Sequence, residues 1–171
     1  MNIPHNAGND APRDIRGVLV QVAGARLLLP NASIAEVLSY AEPEPVPGAP
    51  DWLLGRMRWR GWPVPLVAAA RMAGARIDVV TLGTKVLVFK ALGGDPRLPY
   101  FAVLSNGFPR LVTISRGTIR SEPDGTALPQ FVKARVALND EVVLIPDLEA
   151  MQTRISQVLD EAGASADMAD G

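Results

Sequence analysis

The sequence predicts an all-β protein with a few short helices, in which two small β-barrels pack against each other. Two observations lead to this prediction. Short runs rich in Val, Leu and Ile recur along the chain and are separated by Gly, Pro, Asn or Asp, which is the spacing of a small barrel or sandwich. One of these stretches also occurs twice, which indicates two similar lobes.

The strands are predicted from the apolar runs. Near the N-terminus, Val18–Val22 and Arg26–Leu29 flank Ala23-Gly24-Ala25, which is predicted to form a hairpin turn. The later apolar runs predict further strands at Lys85–Ala91, Tyr100–Leu104, Leu111–Ile114, Arg135–Leu138 and Glu141–Ile145.

Two short helices are predicted between the strands. The first opens at Ser33, because Glu36 three residues later completes a capping-box pattern. The second spans Ala68–Ala73 and is closed by Gly74, a residue type that commonly ends helices.

A third helix, near the C-terminus, has the clearest pattern. Asp147 follows Pro146 as a helix N-cap, and Gly163 is predicted to lie just past the helix end. We expect its apolar stripe to pack on the barrels rather than to bind a partner. That stripe recurs at helical spacing and consists of Leu148, Met151, Ile155, Val158 and Leu159.

An internal repeat relates residues 50–67 to residues 129–146, without a gap and at an offset of 79 residues. In both copies an apolar strand reaches a polar pair, Arg60-Gly61 or Asn139-Asp140, and a second apolar strand follows. Each copy is too small to bury a core comfortably alone, so we expect two lobes packed together. The identical pairs are Pro50/Pro129, Arg56/Arg135 and Val64/Val143.

Composition and charge exclude several classes of function. The chain of 171 residues has a formal net charge of −1, whereas nucleic-acid-binding domains normally carry a basic excess. It contains no cysteine, which excludes a disulfide frame, a thiol nucleophile and a zinc–thiolate site. Its single histidine, His5, lies in a polar N-terminal stretch, so neither a His-based catalytic triad nor a His-liganded metal site is expected.

Both ends of the chain are predicted to be flexible, which leaves one ordered domain at residues 17–162. Residues 1–16 are polar, mixed in charge and without the apolar segment of a secretory signal, and residues 163–171 are small and acidic. No apolar run approaches the roughly 18 residues that a membrane span requires. We therefore expect a cytoplasmic protein without membrane insertion.

Residues 46–67 carry a family resemblance. Their sequence, VPGAPDWLLGRMRWRGWPVPLV, looks like the signature of CheW-like coupling proteins, in which an aromatic-aliphatic pair and a glycine precede an Arg-Gly turn and a proline-containing strand. The second copy resembles the family's C-terminal segment and ends in Asp147-Leu148-Glu149. The resemblance extends over about Val18 to Leu159.

The resemblance implies two pseudo-symmetric, SH3-like, five-stranded barrels that share a core, followed by a C-terminal helix. It also implies a stand-alone adaptor with no catalytic activity and no cofactor, which bridges the cytoplasmic tip of a chemoreceptor to the regulatory domain of a CheA-type histidine kinase. A monomer is expected. Among CheW-like proteins, the sequence is similar to the divergent ChpC-like relatives of type IV pilus (twitching) chemosensory systems.

The resemblance implies a partner-binding surface at the Arg-Gly turn. Arg60 matches the family's turn arginine, which belongs to the receptor-contacting surface, and its guanidinium suits carboxylates or backbone carbonyls. Trp59 and Trp62 flank the turn, and exposed tryptophan beside arginine is a common composition of an interface hot spot. Strand alternation leaves one face of this hairpin in the core and the other exposed.

Four further residues correspond to family positions that border a groove between the lobes. Val37 and Leu38 come at the end of the first predicted helix, and Phe108 and Leu111 belong to the second lobe. An amphipathic receptor helix in this groove would follow the helix-in-groove mode of recognition. Plain core packing is the alternative interpretation for each of the four.

Positive charge is concentrated in one stretch that contains no Asp or Glu. Such a patch would attract acidic partners and speed their encounter. Alternatively, it is a solvated strand edge whose charges deter aggregation. The arginines are Arg56, Arg58, Arg60, Arg71 and Arg76.

The sequence departs from the family pattern at several positions, and these departures weaken the expectation that the protein binds both the receptor and the kinase. Trp59 and Trp62 stand where the family normally has aliphatic residues. Ala68 and Asn106 stand where the family usually has acidic residues.

The main alternative function is a barrel that binds cyclic di-GMP or another small ligand. Arg56 and Arg60 have the Arg-x-x-x-Arg spacing that PilZ-type barrels use. The second half of that motif fails, however, because Asn31-Ala32-Ser33 lies before the arginines and Glu36 stands in the place of its glycine.

Overall fold

The structure is a computed structural model that describes residues 14–75, 80–121 and 127–169. Arg76 and most of the predicted N-terminal arm, residues 1–13, lie outside the described residues. Five strands and a short helix form the first half of the described chain: β1 (Ile15–Val22), β2 (Ala25–Pro30), β3 (Ile34–Ser39), β4 (Leu53–Trp59), β5 (Trp62–Val67) and α1 (Ala69–Met72).

The second half contains six strands and a long helix. These elements are β6 (Thr84–Lys90), β7 (Tyr100–Asn106), β8 (Arg110–Ile114), β9 (Ile119–Ser121), β10 (Val132–Leu138), β11 (Glu141–Pro146) and α2 (Leu148–Ala169). The strands predicted from the apolar runs are therefore present with small changes at their ends.

The strands form two sheets, and each sheet draws strands from both halves of the chain. One sheet has the order β8-β1-β2-β11-β10-β9 and the other has the order β3-β6-β7-β5-β4. In each sheet a parallel pair joins the halves, β2 with β11 and β5 with β7, while the hairpins are antiparallel. The predicted fold class, all-β with two SH3-like barrels and a C-terminal helix, is confirmed.

The sequence repeat has a counterpart in the backbone. At the offset of 79 residues, the bounds of β4 and β5 coincide with those of β10 and β11. Both hairpins turn with two consecutive residues at positive φ, 48° at Arg60 and 80° at Gly61, and 48° at Asn139 and 66° at Asp140. Positive φ at both central residues is typical of the type I′ turn, whose twist matches that of antiparallel strands.

A shared core lies beneath both sheets. The buried α2 residues Leu148, Met151, Ile155 and Val158 belong to one apolar cluster with Val20 of β1 and Leu87 of β6, among others. The apolar stripe of α2 thus packs on the barrels, as the sequence predicts. Since the cluster combines residues of both halves, the two lobes are not independent.

The first predicted helix is wrong. Ser33 ends a single 3-10 turn, Asn31–Ser33, which has no side-chain cap, and the residues that follow form β3. Because β3 pairs with β6 over five residue pairs, Ile34↔Phe89 to Ser39↔Lys85, sheet pairing outweighs the local capping pattern.

The two remaining predicted helices are present, with one correction. Asp147 caps α2, since its Oδ1 accepts a hydrogen bond from the Ala150 N–H at 3.0 Å, whereas Ala68 at the equivalent position of α1 has no side chain that can cap. Gly163 does not end α2, which continues to Ala169, so residues 163–169 are helical instead of a loose tail. Similarly, β1 begins at Ile15, inside the predicted N-terminal arm.

Candidate partner-binding surface

The tip of the β4–β5 hairpin carries one buried and one exposed tryptophan. Trp59 ends β4 with 6 % of its surface exposed, and Trp62 opens β5 with 42 % exposed. The two residues are cross-strand partners on either side of the Arg60-Gly61 turn. Because directly opposed residues of an antiparallel pair lie on the same face of the sheet, strand alternation does not explain this difference. Trp62 is the accessible indole of the pair.

Trp59 is fixed on two sides. Its ring meets Tyr100 edge to face, with centroids 4.8 Å apart and an interplanar angle of 72°. Its indole Nε1 donates a hydrogen bond to the Glu36 carboxylate of β3. Trp59 is thus not the exposed contact residue that the sequence suggested; it holds the hairpin tip against β3 and β7.

Arg60 is held in place while most of its side chain stays accessible. Its guanidinium carbon lies 4.7 Å from the centroid of the Trp59 ring, within cation–π range. Its Nη2 is 3.9 Å from the Glu36 Oε2, and 69 % of the side chain is exposed. Since the ring and the carboxylate restrict the guanidinium, binding of a partner at Arg60 would cost less side-chain entropy than binding at an unrestricted arginine.

Trp62 extends this surface on the other strand. Its ring centroid lies 6.4 Å from that of Tyr100, which is half-buried, so Tyr100 contacts both tryptophans. We call Arg60, Trp62, Tyr100 and Glu36 the hairpin surface. It combines a cation, a partly paired carboxylate and aromatic area, the composition of many protein–protein hot spots.

Glu36 is the residue of this surface that the sequence analysis did not assign to it. The sequence pattern predicted that Glu36 caps a helix, whereas its carboxylate contacts Trp59 and Arg60, which lie 23 and 24 positions later in the chain. Its position, within the apolar stretch of Ile34 to Leu38, was the available signal, because a carboxylate on a half-buried strand needs a partner.

Three of the four predicted groove residues lie on edge strands, Val37 and Leu38 on β3 and Leu111 on β8, whereas Phe108 lies between β7 and β8. Val37 and Leu38 lie in β3, not at a helix end, and both are half-buried, packed against different core clusters. Phe108 and Leu111 are far more accessible, at 73 % and 64 % exposed. For Val37 and Leu38, core packing therefore accounts for much of the side chain.

Lys85 brings Phe108 close to the end of β3. Its ammonium lies 4.7 Å from the centroid of the Phe108 ring, and its backbone pairs with Ser39 of β3. Phe108 thus contacts a residue that pairs with the end of β3, the strand that carries Val37 and Leu38.

The arginines of the predicted positive patch differ in their environment in the structure. Arg56 and Arg58 are exposed on one face of β4, alternating with Met57 and Trp59. Within the described part of the chain, no carboxylate lies within 4 Å of either guanidinium. Arg71, by contrast, donates a hydrogen bond to the Asp51 carbonyl oxygen at 3.3 Å.

The described residues show neither a metal-binding cluster nor a membrane-spanning helix. They contain no group of three or more His, Asp or Glu side chains placed to hold a metal ion. Neither described helix has the length and hydropathy needed to cross a membrane.

Comparison with known proteins identifies the family. The model of the CheW-like domain matches residues 16–156. The chain belongs to the CheW-like family. The crystal structure of the scaffolding protein TtCheW from Thermoanaerobacter tengcongensis has the same fold, with a TM-score of 0.67 and 17 % sequence identity over 86 % of this chain and 91 % of that one. Among curated proteins, no sequence matches the chain.

The family resemblance stated from the sequence is therefore confirmed. A CheW-like domain supports a role as an adaptor in chemotaxis signal transduction, and it does not favour the alternative of a nucleotide-binding barrel.

Proposed function

We propose that this CheW-like protein is a non-catalytic, monomeric, cytoplasmic adaptor that couples chemoreceptors to a CheA-type histidine kinase. The observation that carries the proposal is the hairpin surface, on which Arg60 is restricted by Trp59 and Glu36 yet 69 % exposed. A restricted, accessible arginine beside an exposed tryptophan supports recognition of another protein.

In this proposal the hairpin surface contacts the cytoplasmic tip of the receptor. The guanidinium of Arg60 offers paired N–H donors to a carboxylate or to backbone carbonyls of a receptor helix. Trp62 supplies apolar area next to it and excludes water from the new hydrogen bonds. Trp59 and Glu36 act as positioning residues, since they fix the direction of the guanidinium.

The exposed residues Phe108 and Leu111 would extend the receptor interface into the groove between the lobes. A receptor helix that places its apolar face on them would bury two large side chains that are now mostly in water. Val37 and Leu38 contribute the accessible remainder of their side chains from β3.

The kinase regulatory domain would bind a separate surface of the same molecule. Because one core cluster joins both halves, the two binding surfaces keep a fixed relative geometry. A receptor conformation that fits this geometry better would then bias the kinase through shared interfaces, which is a coupling free energy between sites. In the finer form of the proposal, the output is twitching through a type IV pilus system.

Calorimetric titration against the receptor tip and, separately, against the kinase regulatory domain tests the proposal. We expect both to bind, and Arg60→Glu to weaken receptor binding at least about tenfold while kinase binding is unchanged. Arg58→Glu is the matched control, since it reverses an exposed charge on the same hairpin outside the hairpin surface. The absence of both interactions at tens of micromolar, on the order of −6 kcal/mol, would contradict the adaptor role.

A further inference from the structure

An apolar groove lies at the end of β5 opposite to the hairpin surface. Its volume is about 460 Å³, and its walls come from the β1–β2 turn, α1, the residues before β10 and the start of α2. Ala73 and Phe131 lie on facing elements of it, and Gln130 is the single polar side chain among the described residues that line it. None of the residues assigned above to receptor binding lines this groove.

The internal repeat allows this groove to be compared with the equivalent region in the second half of the molecule. The sheet order β1-β2-β11 in one sheet corresponds to β6-β7-β5 in the other, so the β1–β2 turn is equivalent to the β6–β7 loop. The turn has two residues, Ala23 and Gly24, whereas the loop spans residues 91–99. The β6–β7 loop is therefore longer than the β1–β2 turn and contains residues that have no counterpart there.

The β6–β7 loop covers the apolar core in the second half of the molecule. Leu98, on the loop, is buried in the same apolar cluster as Met151 and Trp52. Gln152 is buried as well, and its Oε1 accepts hydrogen bonds from the N–H groups of Leu92 and Gly93 at 2.8 and 3.0 Å. A proline-flanked leucine that follows a turn thus fills this part of the core in the second half, and a glutamine of the helix holds the loop.

In the first half, the helix side chain and the strand connection that correspond to Gln152 and the β6–β7 loop are both smaller. Ala73 occupies the position equivalent to Gln152 at the offset of 79 residues, and the loop with its leucine is missing. Phe131 borders the groove with φ of +63°, a left-handed conformation that costs a non-glycine residue free energy. Trp52, its counterpart in the repeat, has no such conformation. The groove is therefore the place of a missing leucine-bearing segment.

We infer that this groove docks an uncharged segment of a partner protein that presents a leucine-sized apolar side chain, in the way the β6–β7 loop presents Leu98. The described lining residues include no charged side chain, so a charged segment would lose its hydration without gaining a partner. The hairpin surface lies at the other end of β5, about 20 Å away for six residues of strand. The groove is thus a second interaction surface, and it does not depend on the proposed receptor contact.

Methyl NMR of the full chain with two short peptides tests the inference. The probe is acetyl-Pro-Gln-Leu-Pro-amide, and the control peptide has alanine in place of leucine. We expect saturable shifts of the Ala70, Ala73 and Met151 methyl groups with the leucine peptide, and an affinity at least about fivefold lower for the alanine peptide.

Groove-filling variants locate the binding. Ala73→Leu should weaken leucine-peptide binding at least about tenfold, and Ala164→Leu, on the exposed side of α2, should leave it unchanged. If Ala73→Leu does not fold, Ala23→Leu in the β1–β2 turn fills the groove from the opposite wall. The inference is overturned if no groove methyl responds up to about 10 mM peptide, if both peptides act alike, or if neither filled variant reduces binding.

Other occupants would give different results, each of which also overturns the inference. Saturable shifts with decanoate but not with the leucine peptide would assign the groove to a small apolar ligand. Shifts of the same methyl groups that depend on protein concentration alone would assign it to a second copy of the chain.

Discussion

The indole N–H of Trp59 donates a hydrogen bond to the carboxylate of Glu36, which joins the tip of the β4–β5 hairpin to the edge strand β3. The same carboxylate is 3.9 Å from the Arg60 guanidinium, which in turn lies over the Trp59 ring. Three side chains from two strands and a turn therefore hold one another. Trp59 consequently supports the hairpin tip, whereas Trp62 is exposed.

Replacing Trp59 by phenylalanine should lower the free energy of unfolding by about 1.5 kcal/mol, because the half-buried Glu36 carboxylate loses a donor while most of the ring contact with Tyr100 is kept. Trp62→Phe is the matched control and should cost less than about 0.5 kcal/mol, since its ring is exposed. Urea unfolding of both variants measures the difference. Equal losses would contradict a supporting role for Trp59.

Introducing a glycine in one of the two equivalent turns should stabilise the protein, and removing the glycine from the other should destabilise it. Asp140→Gly should raise the free energy of unfolding by about 0.5 kcal/mol, because Asp140 adopts φ of +66° and Asn-Gly suits a type I′ turn. Gly61→Ala should lower it by about 1 kcal/mol, since φ there is +80°. The ion pair that Asp140 loses with Arg120 is exposed and contributes little. Urea unfolding would refute this account if both changes had the same sign.

Gly163→Ala should stabilise the protein by about 0.5–1 kcal/mol and increase its helical circular dichroism signal. Gly163 lies inside α2, and a Cβ atom there would meet no atom within 4 Å. A glycine that ended the helix in a left-handed conformation would give the opposite result, because alanine is strained there. Thermal unfolding therefore distinguishes a helix that continues to Ala169 from one that stops at Gly163.

Gln152→Met should lower the free energy of unfolding by about 1–2 kcal/mol. Methionine keeps most of the volume but removes the acceptor for the N–H groups of Leu92 and Gly93. Hydrogen exchange at those two amides should become faster. Gln157→Met, an exposed change on the same helix, is the control and should leave both amides unchanged. Unaltered exchange in Gln152→Met would show that another group holds the loop.

Most of the fold could be predicted because its signals are local. Alternating apolar runs and turn residues predict the β1–β2 hairpin, and the repeat predicts that β4–β5 and β10–β11 are equivalent. β3 could not be predicted in this way, because Ser33 and Glu36 have a helix-capping pattern that only pairing with β6 overrides. The predicted end of α2 was wrong for a similar reason, because glycine is a common helix terminator and no local signal shows that the helix continues past Gly163.

The candidate surface was predictable in part. The position of Arg60 in a turn follows from its own neighbours, and strand parity anticipated that the hairpin has a buried face. The role of Glu36, and the choice of Trp59 over Trp62 as the buried indole, depend on which strands become neighbours in the sheet. Those contacts join residues more than 20 positions apart, beyond the reach of periodicity.

The exchange of edge strands between the halves has a consequence for how the chain can fold. β3 completes the sheet that contains β6 and β7, and β8 completes the sheet that contains β1 and β2. A chain cut between α1 and β6 would give two fragments, each with one strand, β3 or β8, that has lost its sole neighbour and three further strands that have lost one of their two neighbours. Such fragments should be unable to fold separately and should assemble by mutual complementation, as two subunits of a strand-swapped dimer would.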